Sequence, residues 1–313
     1  DDLSDASTVT RTFKPGETFN YKITIKNNTD KPVEDGVVYD ALPKVHDVNT
    51  LDGSNRLTEY TVSLRGPVSA PEGWTVYYTT DPSVTSDTME QAADKDIWTT
   101  AVADYSQVTG IKFVAEKGTT IPARSEANFG VPVVNPTELT KDVKDLMQKR
   151  TKDNEDNGGR SGVVQAHNQF GYKAKGHEEN RESNTVTAQI FSAAFQVKKV
   201  DKDNPKKVLE GAEFTLTDAN GAVVATATSD KNGELSFSTL TEGNYTLKET
   251  KAPANYKLDE TDHAVVVTYD ADKQIYHVTV DGKAVGSKAL PLEIANEADI
   301  KYIDLEASKV WDD

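Results

Sequence analysis

The sequence predicts an all-β protein made of antiparallel β-sandwiches in tandem, with one short helix inserted in the first domain. Runs rich in Val, Ile, Thr, Tyr and Phe dominate the 313 residues and are bounded by turn residues. The opening motif F-Q-V-K-K-V-D at 195–201 is echoed by L-E-A-S-K-V-W-D at 305–312, which indicates repeated modules. Asp-Gly and Asn-Gly pairs, typical of hairpins, stand at 52–53, 220–221, 232–233 and 281–282.

The elements follow from local patterns. The helix, over 138–150, is predicted from apolar residues at helical spacing (Leu139, Val143, Leu146, Met147) behind a Thr137 cap. The polar, glycine-bearing run that follows at 149–160 predicts a loop. The strand-like runs, in chain order, are Phe19–Lys26, Trp74–Tyr78, Phe195–Val200, Ala222–Thr228, Ala264–Tyr269 and Ile275–Val280.

We place a domain boundary at Ala193. The stretch S-N-T-V-T-A-Q-I before it is typical of a closing strand, and the opening motif follows directly. Residues 1–192 then form a first sandwich with insertions, and residues 193–298 form a second sandwich. Residues 299–313 are a linker and the first strand of a further domain that the chain does not complete.

Composition excludes several classes of function. The formal net charge of −16 disfavours nucleic acid and anionic membranes as partners, since both repel an acidic protein. Without cysteine the chain has no disulfides, thiolate metal sites or cysteine nucleophiles. The five histidines show no ligand spacing, and D-N-E-D-N-G at 153–158 lacks the acidic twelfth position of a calcium loop, which is Val164. We therefore expect no metal and no cofactor.

Alternation along three strands of the second domain ends each apolar stripe on a polar residue. Lys199 ends the stripe of F-Q-V-K-K, Glu249 that of Y-T-L-K-E, and Asn296 that of L-E-I-A-N. An isolated buried charge costs several kcal/mol even after relaxation. The free-energy cost of burying these three polar side chains is reduced if they contact one another inside the sandwich.

These residue types suit an intramolecular isopeptide bond. A desolvated lysine loses much of its preference for the charged form, and the free amine is a nucleophile. A buried glutamate tends to stay protonated, so it can hydrogen-bond the carboxamide oxygen of Asn296 and pass a proton to the departing ammonia. A plain salt bridge from Lys199 to Glu249, with Asn296 capping the strand end, is the alternative that alternation leaves open. The neighbouring Lys198 is expected to face outward.

Four motifs of this domain resemble the Cna-B domain, the collagen-adhesin B-type module of Gram-positive surface adhesins and pilins. They are F-x-V-x-K-x-D from 195, L-E-G-A-E-F-T-L from 209, Y-T-L-K-E-T-K-A-P-A-N-Y from 245 and I-A-N-E from 294. The resemblance implies that Lys199 and Asn296 are cross-linked and that Glu249 is the catalytic acid. By the same comparison Lys309 is the candidate cross-link lysine of the incomplete next domain. Asn255 stands where the family commonly has glycine, and asparagine tolerates left-handed backbone angles.

The first domain resembles the Ig-like repeat modules of bacterial surface proteins at both of its ends. The resemblance is carried by P-G-E-T-F-N-Y-K-I-T-I-K-N-N-T-D from 15, V-V-Y-D-A-L-P from 37 and E-S-N-T-V from 182. Some relatives hold a Lys–Asn isopeptide bond assisted by Asp, which implies Asp40 and Asn184 as candidate members of a second cross-link. No lysine completes the set, because Lys22 and Lys26 alternate opposite the apolar positions.

Together these features predict an extracellular, cell-wall-linked adhesin or ancillary pilin of a Gram-positive bacterium, with residues 1–192 as the ligand-binding part. Its expected partners are a host extracellular-matrix protein or glycan, or neighbouring pilin subunits, with covalent cell-wall attachment through a part outside this chain. It is not expected to be an enzyme, apart from one autocatalytic event. No Y-P-K-N-like motif and no L-P-x-T-G signal are present, which favours this prediction over a backbone pilin.

Two other functions stay open at this point. One is a purely structural stalk or backbone pilin segment without a ligand. The other is a cell-surface carbohydrate-active enzyme to which these β modules are accessory. That enzyme would need a cleft with paired carboxylates, and the sequence singles out no such pair.

Overall fold

The computed structural model describes residues 9–153, 162–286, 289–300 and 308, and the chain divides into two units. The first unit takes residues 1–147 and 163–191, and the second takes 148–162 and 192–313. Both are built from β-strands arranged in more than one sheet, so the predicted all-β class is confirmed.

The first unit contains thirteen described strands. They are β1 (Val9–Phe13), β2 (Thr18–Lys26), β3 (Val33–Glu34), β4 (Val37–Ala41), β5 (Ser63–Leu64), β6 (Trp74–Thr79), β7 (Gly110–Ala115), β8 (Thr120–Ile121), β9 (Glu126–Val134), β10 (Val164–Asn168), β11 (Gly171–Ala174), β12 (His177–Glu182) and β13 (Val186–Ile190). Their hydrogen-bonded orders are β12-β11-β4-β7-β6, β2-β9-β5, β1-β13-β10 and β3-β8. Strands β2 and β12 thus lie at sheet edges.

The core of the first unit lies between these sheets. Its centre is aromatic: Trp74 and Phe113 each pack on Phe129, with ring centroids 4.9 Å and 4.6 Å away. Such pairs add to the stabilisation that comes from the buried area alone. A smaller apolar cluster on the other face of β4 is centred on Tyr39 and Met89.

The predicted helix is present but begins later than expected. Helix α2 spans Lys141–Asp153, and α1 spans Met89–Ala93, with short 3-10 turns at Pro82–Ser86 and Tyr105–Gln107. Thr140, not Thr137, caps α2, since its hydroxyl accepts a hydrogen bond from the Val143 N–H at 3.4 Å. Helix α1 was not predicted, because five residues are too few to show a helical period.

The second unit contains nine described strands in two sheets. They are β14 (Ala193–Asp201), β15 (Glu213–Asp218), β16 (Val223–Thr228), β17 (Glu234–Leu240), β18 (Gly243–Lys251), β19 (Asp262–Asp270), β20 (Ile275–Val280), β21 (Lys283–Val285) and β22 (Leu292–Asn296). One sheet has the order β17-β14-β22 and the other β16-β15-β18-β19-β20-β21. The first and last strands, β14 and β22, run parallel side by side.

Two of the predicted hairpin turns form as expected. The Asn-Gly pair at 220–221 joins β15 to β16, and the Asp-Gly pair at 281–282 joins β20 to β21. The pair at 232–233 does not make a hairpin, because β16 and β17 belong to different sheets. There the turn carries the chain from one sheet to the other.

Candidate functional site

Three strands position the polar residues of the second unit. Lys199 lies on β14 and Asn296 on the adjacent parallel strand β22, where Lys199 is in register with Ile294 and Asp201 with Asn296. Residues two apart on a strand share a face, so Lys199 and Asn296 point to the same side of this sheet. Glu249 lies on β18, in the other sheet of the unit.

The structure brings these three side chains together in the interior. Lys199 is 0% exposed, and Glu249 and Asn296 are each 1% exposed. The Lys199 Nζ lies 3.1 Å from Glu249 Oε1. The Asn296 Nδ2 donates to Glu249 Oε2 at 2.7 Å. A single carboxylate therefore contacts the amine through one oxygen and the amide through the other.

The carboxamide of Asn296 has a defined orientation. Its Nδ2 also donates to the backbone carbonyl of Lys257 at 2.6 Å, and its Oδ1 has no hydrogen-bond partner among the described residues. The expectation that Glu249 hydrogen-bonds the carboxamide oxygen therefore differs from the structure. The Lys257 carbonyl is an acceptor, and only the nitrogen of the carboxamide can donate to it, so it holds the amide with its NH₂ toward the glutamate.

The segment 257–259 supports both acid and amide through its backbone. While the Lys257 carbonyl holds Asn296, the Asp259 N–H donates to Glu249 Oε2 at 2.8 Å. The preceding turn contains Asn255 at φ 69°, the left-handed conformation that asparagine tolerates in place of glycine. Sequence reasoning missed this segment, because backbone groups leave no signature in residue identity.

Burial sets the electrostatics of the lysine. Desolvation lowers the pKa of Lys199, while the nearby carboxylates of Glu249 and Asp259 act in the opposite direction. The Phe214 ring lies 5.2 Å from Nζ and closes the apolar surroundings on one side. The neutral amine, which is the nucleophilic form, is thereby favoured relative to a lysine in water.

The turn at 232–233 lies directly behind the lysine. Gly233 has φ +71°, and a Cβ there would come within 2.5 Å of the Lys199 carbonyl oxygen. The Gly233 carbonyl in turn accepts from the Lys199 N–H at 2.7 Å. Glycine is required at this close approach of two backbones. Lys198 faces away, as expected, and pairs with Glu234 at 3.0 Å near the surface.

Asp40 and Asn184 are the candidate cross-link residues of the first unit, and their surroundings differ from those of the three residues in the second unit. Asp40 on β4 is fully buried, and its Oδ2 accepts from the Asn168 Nδ2 at 3.4 Å. Asn184 lies just before β13 and is half-buried. No described lysine of this unit is buried, and Lys22 and Lys26 are both exposed.

A buried arginine, not a lysine, lies near Asp40. Arg56 Nη1 lies 3.3 Å from Asp47 Oδ2 and 3.5 Å from Asn168 Oδ1, and both members of this ion pair are buried. Sequence reasoning missed Arg56 and Asp47 because they lie in an irregular segment without periodicity. A guanidinium does not act as an amine nucleophile, so this network serves structure.

The buried Asp40 makes a testable pH prediction. Burial raises the pKa of its carboxyl from 3.8 to about 6, against the opposing effects of Arg56 and Asn168. The folded state holds this proton more tightly than the unfolded chain does, so the free energy of unfolding falls as pH rises from about 4 to about 6. The difference corresponds to about 3 kcal/mol.

Asp40→Asn removes this titration, so its unfolding free energy should change less across that pH window than that of the unchanged protein. Denaturant titration followed by tryptophan fluorescence measures it, since Trp74 and Trp98 both lie in this unit. Asp47, whose pKa burial also raises, contributes equally to both proteins. Equal slopes for the two proteins would contradict the assignment to Asp40.

Two predictions fall outside the described residues. Lys309 and the strand expected at the end of the range 299–313 lie beyond residue 300, where only residue 308 is described. Most of the loop expected over 149–160 also lies outside, although α2 extends through Asp153.

A family model identifies the second unit. Residues 193–284 match the SpaA prealbumin-like fold domain. This match, less than a third of the chain, confirms the Cna-B-like character that the motifs indicated. Lys199 and Glu249 lie inside the matched range, and Asn296 lies beyond its end.

Two curated relatives are staphylococcal. The chain is 36% identical over 75 residues to a fibrinogen-binding protein of Staphylococcus epidermidis, which covers 24% of this chain and 7% of that protein. It is 28% identical over 139 residues to a collagen adhesin of Staphylococcus aureus, which covers 42% of this chain and 11% of that protein. The matched part is therefore about a tenth of each relative's length.

Solved structures of pilins align with most of the chain at low similarity. A variant of the major pilin subunit of Bacillus cereus aligns with 92% of this chain and 66% of its own, at 16% identity and a TM-score of 0.40. The group B streptococcus pilus 2b backbone protein aligns with 92% of this chain and 95% of its own, at 16% identity and a TM-score of 0.38. Similarity this low does not assign a function. The chain is thus similar to adhesins and pilins of Gram-positive bacteria. Within its described part, no helix has the length and apolar character needed to cross a membrane.

Proposed function

We propose that this chain is part of a cell-wall-anchored surface adhesin or ancillary pilin of a Gram-positive bacterium, and that an autocatalytic bond from Lys199 to Asn296 closes its second module. The observation that carries this proposal is the convergence of a buried amine, carboxylate and amide from three strands. The family match and the two staphylococcal relatives, a fibrinogen-binding protein and a collagen adhesin, support it. The first unit provides the ligand-binding part, toward a host matrix protein or glycan or a neighbouring pilin subunit.

The geometry supports a balanced reaction. The lysine ammonium first passes a proton from Nζ to Glu249 Oε1, 3.1 Å away, which leaves a neutral amine and a neutral acid. The Nζ attacks Cγ of Asn296 and a C–N bond forms, and the amine loses its second proton to Glu249, which has by then given its first proton to the leaving nitrogen. The Cγ–Nδ2 bond breaks, and Glu249 supplies the proton with which Nδ2 leaves as ammonia.

The contacts place the acid at the leaving group, and the fold brings the reacting groups together. Glu249 Oε2 already accepts from the departing Nδ2, so the acid is positioned at the leaving group. The fold supplies proximity, which replaces a separate enzyme. The event happens once in each molecule, so we propose no turnover on an external substrate.

Trypsin digestion tests the bond directly. Trypsin should cleave after Lys198 but not after Lys199, because an acylated lysine is not a substrate. Tandem mass spectrometry should then find the peptide that begins at Lys199 joined to the peptide that contains Asn296. Efficient cleavage after Lys199, with both peptides found separate, would refute the bond.

The backbone support from Asp259 makes a second prediction. Asp259→Pro deletes the N–H that donates to Glu249 Oε2, so the acid loses a fixing contact and the cross-linked fraction should fall. Asp259→Ala retains the N–H and serves as the matched control. Intact mass of the purified, folded proteins gives the cross-linked fraction. Equal fractions in both variants would show that this backbone contact does not position the acid.

Binding assays separate an adhesin from a stalk. The full chain should bind immobilised collagen, fibrinogen or an arrayed glycan if the first unit has the proposed role. Lack of binding to any of these, and to neighbouring pilin subunits, would leave a structural stalk as the better interpretation.

A further inference from the structure

A cavity of about 150 Å³ opens in the first unit between β2 and the β11–β12 hairpin. Its inner wall is apolar and includes the buried side chains of Val38, Trp74 and Ile121. A cavity of this volume can hold a ring the size of benzene. An apolar floor with a few convergent polar groups is the usual form of a binding site.

Polar side chains lie on the face of the edge strand β12 that borders the cavity. His177, Glu179 and Arg181 are alternate residues of this strand, and all three line the cavity. Arg181 is in register with Tyr172, which is itself in register with the core residue Val38. All three are exposed, so they form a polar rim at the mouth of the cavity and are free to contact a ligand.

The cavity is also lined by cations that form no ion pair with a described carboxylate. Within the described part of the chain, no carboxylate forms an ion pair with Lys26, Lys173 or Arg181. Two cations just outside the lining are paired: Lys175 lies 2.7 Å from Glu34, and Arg124 lies 2.7 Å from Asp30. Glu179 is the single carboxylate among the described lining residues. In a chain of net charge −16, this cluster is complementary to an anionic ligand.

The strand beside the cavity has a free edge. Of the described strands, only β11 pairs with β12, so the backbone groups on the other edge of β12 lack a strand partner. A free edge accepts an extended peptide through main-chain hydrogen bonds, and side-chain pockets then supply specificity at alternate positions.

We propose that this cavity and the edge of β12 bind an extended acidic peptide segment of a partner protein. The segment carries acidic residues at alternate positions on either side of an aromatic residue. Its ring enters the apolar cavity, and its carboxylates pair with the Lys26 and Arg181 side chains. This inference rests on the proposed ligand-binding role of the first unit and is independent of the bond in the second.

Fluorescence anisotropy with two labelled peptides tests the proposal on the full chain. The probe is Thr-Glu-Thr-Phe-Thr-Glu-Thr, and its counterpart has both glutamates replaced by lysine. The acidic peptide should bind, more weakly as salt rises, and the basic peptide should not. Lys26→Glu combined with Arg181→Glu should weaken binding roughly tenfold or more. Lys31→Glu is the matched control, because this exposed lysine lies near the cavity but does not line it.

Circular dichroism checks that the variants fold. Intact mass of the same samples measures separately whether the bond from Lys199 to Asn296 has formed in the second module. Absence of acidic-peptide binding, or equal affinity in the double variant and in Lys31→Glu, would overturn the proposal. Binding of a hyaluronan tetrasaccharide in place of the peptide, lost in the double variant, would also overturn it, since a sugar acid would then be the ligand. A chain that binds no acidic peptide but keeps its mass deficit would overturn this inference alone, and the proposed bond from Lys199 to Asn296 would stand.

Discussion

Asn296→Ala is expected to have the mass calculated from its sequence, whereas the unchanged protein should be lighter than its calculated mass by one ammonia. The difference arises because the Cγ–Nδ2 bond of Asn296 breaks when Lys199 acylates, and alanine has no leaving nitrogen. Electrospray mass spectrometry of the intact, denatured chain measures it. Each cross-link removes one ammonia, so the deficit also counts the bonds in the whole chain.

Matched variants assign the deficit to particular residues. Lys199→Ala should also regain the ammonia, since it lacks the nucleophile. Glu249→Gln keeps the size of the side chain but carries no acidic proton, so it should regain the ammonia as well. Lys198→Ala alters only the outward lysine and should keep the deficit. A folded, unchanged protein at its full calculated mass would refute the cross-link.

The second large effect is on thermal stability. The bond would close a loop across the 97 positions that separate residues 199 and 296. In the chain-entropy model a loop of this length is worth about 4–5 kcal/mol. For a domain of about 100 residues this corresponds to a Tm change of roughly 20–30 °C. We therefore expect the Tm of the second unit in Glu249→Gln to fall by that amount in scanning calorimetry.

A second variant without the cross-link separates the effect of the bond on the Tm from the effect of the buried ion pair. Lys199→Met removes the charge and retains apolar volume, so a similar fall in both variants points to the missing bond. Lys198→Ala should shift the Tm by only a few degrees, because exposed ion pairs contribute about 0–1 kcal/mol. Equal Tm values for linked and unlinked proteins would show that the bond adds no thermal stability.

Alternation predicted the three polar residues of the second unit because they lie on regular strands. The period of two places Lys199, Glu249 and Asn296 inward, and the structure has all three buried. Sequence could not predict the orientation of the Asn296 amide. That orientation depends on the Lys257 carbonyl and, through Glu249, on the Asp259 N–H. Every residue type offers the carbonyl and every type except proline the N–H, so neither is visible in the sequence.

In the first unit, sequence patterns predict the burial of Asp40 but not the charged residues around it. Asp40 lies on a regular strand, and its burial was predictable from its neighbours. Its charged surroundings come from Arg56 and Asp47, in an irregular segment whose path depends on tertiary contacts rather than on periodicity. The same reason explains the Asn-Gly pair at 232–233: the local signal specifies a turn, and only the long-range pairing of β17 with β14 decides which sheet the chain enters.

The parallel pairing of β14 with β22 determines how the module would carry tension. With Lys199 joined to Asn296, a pull applied at the two ends runs along residues 193–199 and then crosses directly to β22. Residues 200–295 lie off this path and experience no stretching. Loops in that stretch can therefore lengthen, or change in sequence, without a loss of tensile strength. A module cross-linked in this way can diversify its surface while the same few bonds continue to carry the tension.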